Sequence, residues 1–96
     1  MSRPPIFKFR LYVAGDAPNS VHALANLTAL CRERLPDRHE IEIVDVFKDP
    51  KRALADNVFL TPTLIKLSPD PVRRIVGTLS QPEIVLQALG LEMSMA

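Results

Sequence analysis

The stretch that decides the fold is Phe59–Leu91, FLTPTLIKLSPDPVRRIVGTLSQPEIVLQALGL. It contains two β-rich runs, Thr63–Leu67 and Val72–Val76, separated by SPDP, whose serine, aspartate and proline residues favour a turn. Because this connection is too short for a crossover helix, we expect the two runs to form an antiparallel hairpin.

A helix is predicted to follow the hairpin. Ser80 and Glu83 have the three-residue spacing of a capping box, and Pro82 lies in the first turn. Gly90 is suited to end the helix, because glycine readily adopts the left-handed conformation found after a helix. The apolar face of this helix is predicted to comprise Ile84, Val85, Ala88 and Leu89.

The N-terminal half of the chain predicts a strand, a helix and a second strand. Ile6–Val13 alternates at first and then becomes continuously apolar, as in a strand that enters the middle of a sheet. Helical periodicity extends over Pro18–Leu35, and Asp16 is expected to cap this helix. His39–Phe47 alternates again, and we expect the two strands to be parallel because a helix joins them.

A short helix in the segment KDPKRALADN, Lys48–Asn57, completes the predicted element order βαβαββα. This order is the thioredoxin topology. We therefore predict a single thioredoxin-like α/β domain over residues 1–96.

Two turns are expected to shape one end of this domain. Thioredoxin-like proteins carry a proline, usually in the cis form, beside the active-site loop, and Thr61-Pro62-Thr63 has that pattern. We expect a cis Thr61–Pro62 bond. The second turn contains Asp16 and Pro18, at the first strand-to-helix junction.

Composition argues against several classes of partner. The chain has 12 basic and 11 acidic residues, and no basic run is interleaved with aromatic residues, so we expect no nucleic-acid binding. No signal peptide opens the chain and no apolar run approaches the ~20 residues that span a bilayer, so we expect no membrane partner. A single cysteine fits a reducing cytosol, and a cytoplasmic location is predicted.

The loop that would carry redox chemistry has no cysteine. Thiol–disulfide exchange needs a thiolate at the helix N-terminus and a second thiol one turn away. The corresponding positions are Asp16, Ala17, Pro18 and Asn19. Cys31 lies about three turns deeper, on the apolar stripe of the helix, where a buried cysteine is expected. The missing thiols exclude this reaction.

Other catalytic chemistry also lacks a motif. His22 and His39 do not have metal-ligand spacing, and Ser20 and Thr28 have no evident base partner. The three glycines are too scattered to cradle a phosphate. Asp45 could be a functional acid, but a strand-end carboxylate bonded to neighbouring backbone is the favoured interpretation. We expect no catalytic residue, no metal and no cofactor.

Five segments together resemble the KaiB family of clock proteins: KFRLYVAGDAPNSVHALANL, IVDVFKDPKRA, TPTLIKL, PVRRIVG and LSQPEIVL. The resemblance implies a non-enzymatic protein that docks on the N-terminal ATPase ring of the KaiC hexamer and opposes KaiC phosphorylation. It also implies two folds. In the self-associated resting form, a tetramer or dimer, the C-terminal half is rearranged, whereas the thioredoxin-like monomer is the form that binds.

Two positions depart from the family pattern. His22 replaces an arginine and Glu42 replaces a lysine, at places that resemble those involved in recruiting KaiA. The resemblance therefore does not carry KaiA over as a partner, and a system with KaiC alone is expected. The alternative function is a thioredoxin-like sensory module of a clock-linked kinase. Because the sequence ends at Ala96 without a kinase segment, we expect the KaiC-binding regulator instead of the sensory module. A redox protein is the third and least favoured function.

The partner surface is predicted in Lys48–Leu60 and the adjoining Pro62 loop, which flank the former active-site face. An apolar centre with a charged rim is how interfaces are built. Phe59 could instead belong to the core. The apolar residues proposed for the centre are Val58, Phe59 and Leu60, and the charged residues are Lys48, Lys51, Arg52 and Asp56.

Arg73 and Arg74 are adjacent on a predicted strand, so their side chains are expected to face opposite ways. Either one recognises a partner, or the two charges protect a sheet edge from pairing. Both interpretations stay open.

The last helix is predicted to set the balance between the two folds. Its pattern is ambiguous, because Ile84, Leu86 and Ala88 could also line one face of a strand. Ala88 replaces a glycine common in relatives, and Gly90 replaces an acidic residue. In a helix, alanine is more favourable than glycine by ~1 kcal/mol, and Gly90 can form a C-cap. We therefore expect these two residues to favour the thioredoxin-like form.

Overall fold

The structure, a computed structural model, describes residues 5–91. Its elements follow the predicted order βαβαββα. They are β1 (Phe7–Val13), α1 (Pro18–Arg34), β2 (His39–Asp45), α2 (Pro50–Ala55), β3 (Thr63–Ser68), β4 (Arg73–Val76) and α3 (Pro82–Ala88). The α/β class, the hairpin and the parallel unit are confirmed.

The sheet has the strand order β2-β1-β3-β4. Strand β1 pairs in parallel with β2, where Val13 lies opposite Asp45, and antiparallel with β3, where Tyr12 lies opposite Thr63. Among residues 5–91, strand β4 pairs only with β3, with Val76 opposite Thr63. The C-terminal ends of β1, β2 and β4 and the start of β3 therefore meet at one end of the sheet, here called the Thr63 end.

Helices cover both faces of the sheet because β1 is apolar on both of its sides. On one face, Phe9, Leu11 and Val13 pack in a core with residues of α1 and α3. On the other face, a smaller core contains Tyr12, Val44, Ala53, Val58 and Ile65, of which Ala53 belongs to α2.

The structure corrects both predicted N-terminal caps. Asp16 does not cap α1, and Ser80 and Glu83 do not form a capping box, because neither helix has a side-chain hydrogen bond at its cap. Pro18 and Pro82 occupy the first helical positions instead. The fixed φ of proline suits a first turn, and its missing N–H needs no partner there.

The end of α3 agrees with the prediction for Gly90. This residue has a left-handed φ of 72°, and the amide of Leu91 donates to the carbonyl of Leu86 at 2.7 Å. A helix-end carbonyl is thereby satisfied, as in a Schellman motif.

Strand β2 stops at Asp45, two residues before the predicted end. The Asp45 carboxylate accepts hydrogen bonds from the amides of Phe47 at 2.9 Å and Gly15 at 3.1 Å. These bonds turn the chain away from the sheet after β2 and tie it to the loop after β1. The interpretation of Asp45 as a strand-end carboxylate satisfied by backbone is confirmed.

The Thr61–Pro62 bond is cis, as predicted. Two further cis bonds, Ser68–Pro69 and Asp70–Pro71, lie in the turn between β3 and β4 and are additional to the prediction. Over residues 5–91, no helix is both long and apolar enough to cross a membrane.

Candidate functional site

The loop after β1 is a backbone turn without a thiol. The amide of Ala17 donates to the carbonyl of Ala14 at 3.1 Å, which closes the turn that contains Asp16. Cys31 is fully buried among the apolar residues of α1, as predicted, and burial raises the pKa of its thiol to about 11. The thiol is therefore protonated near neutral pH and inaccessible to a substrate.

Four large apolar side chains are exposed around α2, and we call them the α2 surface. They are Phe47, Leu54, Phe59 and Leu60, with exposed fractions of 75, 65, 77 and 65%. Phe59 therefore does not belong to the core of this form. Side chains this large and this exposed within one short segment mark a candidate interaction surface.

Phe47 lies outside the partner segment predicted from the sequence, Lys48–Leu60, and Leu54 lies inside that segment but is not among its named residues. Phe47 was assigned to the end of β2, where the alternating pattern gave no sign that Asp45 would turn the chain. Leu54 lies in a helix of six residues, which is too short to show which apolar side chain is buried. A useful signal was Asp45 itself, because carboxylates often cap strand ends and turns.

The fold places the α2 surface at the Thr63 end of the sheet. Phe47 lies over the loop after β1, since a Cβ atom placed at Gly15 would be 3.5 Å from its ring. On the other side of α2, the Thr63 hydroxyl donates to the carbonyl of Leu60 at 2.6 Å. Loops after β1 and β2 and the loop before β3 thus meet around this surface.

A charged network lies beside the surface, and we call it the Arg10 network. It contains Arg10, Tyr12, Glu42, Arg52 and Asp56. The Arg10 guanidinium donates to Glu42 at 2.8 Å and to Asp56 at 2.9 Å. Arg52 lies 2.8 Å from the other oxygen of Glu42, and the Tyr12 hydroxyl donates to Asp56. The network joins β1, β2 and α2.

Each acidic group of this network has a shifted pKa with a specific cause. The hydrogen bond from Tyr12, followed by that from Arg10, lowers the pKa of Asp56. Hydrogen bonds from Arg10 and Arg52 lower the pKa of Glu42. Burial and the neighbouring Asp56 raise the pKa of Tyr12 to about 12. Both carboxylates are therefore ionised and the phenol is neutral near pH 7.

The predicted partner residues separate into accessible and occupied groups. Lys48 and Lys51 are exposed, in keeping with a charged rim. Val58 is only 7% exposed and packs with Tyr12 in the smaller core, so it is not available at the surface. Burial of Val58 follows from the turn after α2, which points this side chain inward. Arg52 and Asp56 are half-buried in the Arg10 network.

The two arginines of β4 have different surroundings. Arg74 donates to the carbonyls of Asp56 at 2.7 Å and Asn57 at 3.3 Å, and both Arg73 and Arg74 are exposed. Strand β4 is an edge of the sheet, which is compatible with protection by charge. A recognition role for either arginine stays a prediction.

The remaining candidate groups do not assemble into a reaction centre. His22 is exposed, and Nδ1 of His39 lies 2.7 Å from the carbonyl oxygen of Leu35. Within residues 5–91 there is no group of three side chains suited to hold a metal ion.

The family of the chain follows from its sequence. The model of the KaiB domain matches residues 10–91. The protein belongs to the KaiB family. It is 45% identical over 83 residues to circadian clock protein KaiB3 of Synechocystis sp., covering 86% of this chain and 79% of that protein. It is 43% identical over 91 residues to circadian clock oscillator protein KaiB of Prochlorococcus marinus, covering 95% of this chain and 76% of that protein.

Solved structures support the predicted thioredoxin-like fold of this KaiB family member. The N-terminal domain of Synechococcus elongatus SasA superposes with a TM-score of 0.75 at 16% identity, covering 100% of this chain and 94% of that domain. Mitochondrial thioredoxin 3 of Saccharomyces cerevisiae superposes with a TM-score of 0.71 at 16% identity, covering 92% and 80%. The thioredoxin-like fold is confirmed.

Tyr12 provides a direct test of the Arg10 network, because it is the only tyrosine and the chain has no tryptophan. Its pKa rises from 10.0 to about 12 on folding. The folded state therefore holds this proton more tightly, and the resulting stability is complete below pH 10 and is lost as the pH rises toward 12. Tyrosinate absorbance should titrate near pH 12 in the folded protein and near pH 10 in denaturant.

Asp56→Asn is the control for this titration. Because both the hydrogen bond and the charge of Asp56 raise the pKa of Tyr12, the variant should titrate at a lower pH than the wild type. Circular dichroism should verify that each sample is folded at the midpoint. A folded wild-type protein that titrates like the denatured chain would contradict the network.

Proposed function

We propose that this protein is a non-enzymatic, cytoplasmic regulator that docks on the N-terminal ATPase ring of a KaiC-type hexamer and opposes its phosphorylation. Membership of the KaiB family supports the class of partner. The exposure of Phe59, at 77%, is the observation that carries the choice of surface. A solvated phenylalanine on a fixed loop gains most from burial against a partner.

The chemistry of the α2 surface agrees with docking. Its four apolar side chains would form a centre that excludes water, and the exposed Lys48 and Lys51 would lie at its rim. Nothing in this arrangement requires a reacting group, and the former redox loop contributes backbone and shape. KaiA is not included, since His22 and Glu42 depart from the family pattern at the positions that resemble those involved in recruiting KaiA.

The alternative function, a sensory module of a clock-linked kinase, has weaker support. The N-terminal domain of SasA shares the fold at 16% identity, which is informative about the fold alone. Sequence identity of 45% to circadian clock protein KaiB3 of Synechocystis sp. favours the regulator.

Phe59→Ala tests the docking surface. Because Phe59 is exposed, the substitution should leave the free energy of unfolding nearly unchanged. Its affinity for the KaiC hexamer in the presence of ATP should fall about thirtyfold, the effect of losing about 2 kcal/mol at an aromatic hot spot. Size-exclusion chromatography and binding kinetics would measure the change.

Ile84→Ala is the matched control, because Ile84 is 54% exposed but belongs to α3, on the opposite face of the sheet. It should bind like the wild type. Equal losses for the two variants would move the docking surface away from α2. A wild-type protein that does not bind the ring would refute the proposed partner.

The absence of thiol chemistry is tested by insulin reduction with dithiothreitol. Since the only cysteine is buried and its thiol stays protonated, the rate should not exceed that of buffer. Cys31→Ala should be less stable, through the loss of a buried side chain, but should bind KaiC with wild-type affinity. Catalysed reduction that disappears in Cys31→Ala would overturn the non-enzymatic proposal.

The balance between the two folds is tested by combining Ala88→Gly with Gly90→Asp. Position 90 has a left-handed φ of 72°, which costs a residue with a side chain about 1–2 kcal/mol. Ala88 is the last residue of α3, so its replacement adds less than the ~1 kcal/mol of a helix interior. The thioredoxin-like fraction should fall roughly 5- to 30-fold relative to a rearranged, self-associated form.

The fraction of monomer on a sizing column and the rate of KaiC capture should decrease together in the double variant, because only the competent fraction binds. Gln87→Ala, an exposed substitution in the same helix, should change neither quantity. If the double variant keeps the wild-type monomer fraction and capture rate, Ala88 and Gly90 do not set the balance.

A further inference from the structure

The segment between α2 and β3 is held at its start by a carboxylate that two residues of β1 share. Arg10 and Tyr12 are two positions apart, so their side chains lie on the same face of the strand. Both donate to the same oxygen of Asp56, the residue that follows α2. Bonds from a guanidinium and a buried phenol to an ionised carboxylate are strong because they are charge-assisted.

The same segment is held from β4 through its backbone. Arg74 donates to the carbonyls of Asp56 and Asn57. Asn57 has a left-handed φ of 56°, and the amide of Val58 donates a hydrogen bond to the carbonyl of Ala53 at 2.8 Å. Val58 is then buried beside Tyr12. Strands β1 and β4 thus fix three consecutive residues, and the next two, Phe59 and Leu60, are exposed.

We infer that Tyr12, Arg10 and Arg74 are positioning residues of the α2 surface. They hold Asp56–Val58 against the sheet, so that Phe59 and Leu60 are presented to a partner in one arrangement. Asp56 and Arg74 act inside the protein in this assignment and are not contacts of the partner. The inference rests on the proposed function only where it concerns the partner; the order of the segment is a property of the free protein.

The physical basis is the cost of ordering an exposed apolar loop. A flexible loop would lose conformational freedom on docking, and this loss would reduce the affinity. In this protein the ordering is supplied beforehand by bonds that do not involve Phe59 or Leu60. The bonding groups come from β1 and β4, which are both paired with β3, so the segment is held against the sheet.

Tyr12→Phe tests the inference, because it keeps the packed ring and removes only the hydroxyl, which donates to the carboxylate of Asp56 and lies 3.1 Å from the carbonyl oxygen of Arg52. Hydrogen exchange reports the local effect through the amides of Asp56, Asn57 and Val58, each of which donates to a carbonyl of α2. Loss of a hydrogen bond to a charged group should speed their exchange roughly 10- to 150-fold. Exchange in α1 should rise less.

Asn26→Ala is the matched control. Asn26 of α1 donates to the carbonyl of Thr78 at 2.8 Å, a comparable part-buried bond between distant segments that lies away from α2. It should leave exchange at 56–58 close to that of the wild type. Asp56→Asn is the second variant; it removes the charge to which both Arg10 and Tyr12 donate, and it should also accelerate exchange at 56–58.

The affinity of Tyr12→Phe for the KaiC hexamer with ATP should fall, by no more than the factor seen in exchange, since only the ordered fraction binds. Asn26→Ala should bind like the wild type. Exchange at 56–58 that is unchanged, or raised equally in Tyr12→Phe and Asn26→Ala, would overturn the positioning role. Full affinity in a variant whose 56–58 amides have lost nearly all protection, so that the ordered fraction is small, would overturn its link to docking.

The proposed function can fail separately. If the wild-type protein does not bind the KaiC ring, the docking proposal is wrong, while the hydrogen-exchange comparison still decides whether Tyr12, Arg10 and Arg74 order the segment.

Discussion

Everything else in this protein depends on the burial of both faces of β1. Leu11 and Tyr12 are adjacent in sequence, point to opposite faces and have no exposed surface. Leu11 anchors the core under α1 and α3, and Tyr12 anchors the smaller core under α2. A strand buried on both faces and paired on both edges cannot move without disrupting two cores, so it serves as the fixed reference for the loops at its end.

This constraint explains how a thioredoxin-like scaffold can serve for binding. The loops after β1 and β2 and the loop before β3 converge at the Thr63 end. In this chain that end has a turn without cysteine, a phenylalanine over Gly15 and a short helix flanked by exposed apolar side chains. Its one thiol is deep in the opposite core, where it contributes apolar volume. The fold thus supplies position, and the residues at its end would supply the chemistry of the proposed interface.

The polar groups beside α2 have a role that differs from the role of the apolar ones. Arg10, Glu42, Arg52 and Asp56 neutralise one another within the protein, and their hydrogen bonds span residues 10 to 56 of the chain. Exposed ion pairs contribute little to stability, but a part-buried network that includes a buried phenol fixes geometry. The proposed surface combines an internal charged network that orders a segment with exposed phenylalanine and leucine side chains that gain from burial.

The sequence alone determined the element order, the hairpin, the cis proline, the glycine stop of α3 and the burial of Cys31. Each of these depends on local periodicity or on the special backbone of proline and glycine, which residues near in sequence reveal. The predictions of the two N-terminal caps were wrong, because a proline occupies the first helical position of α1 and of α3 and neither helix has the side-chain hydrogen bond expected from Asp16 or Ser80. Membership of the KaiB family was also visible in the sequence, through motifs that lie in a fixed order.

Only the tertiary structure decided which residues of the predicted surface are accessible. Val58 and Phe59 are neighbours and both apolar, yet one is 7% and the other 77% exposed. The difference arises because the turn at Asn57 directs Val58 toward Tyr12, which lies 46 residues earlier in the chain than Val58. The carbonyls to which Arg74 donates are likewise distant from it in sequence, and so are the carboxylates to which Arg10 donates. Such contacts follow from how strands and helices pack, and no local pattern of residues encodes them.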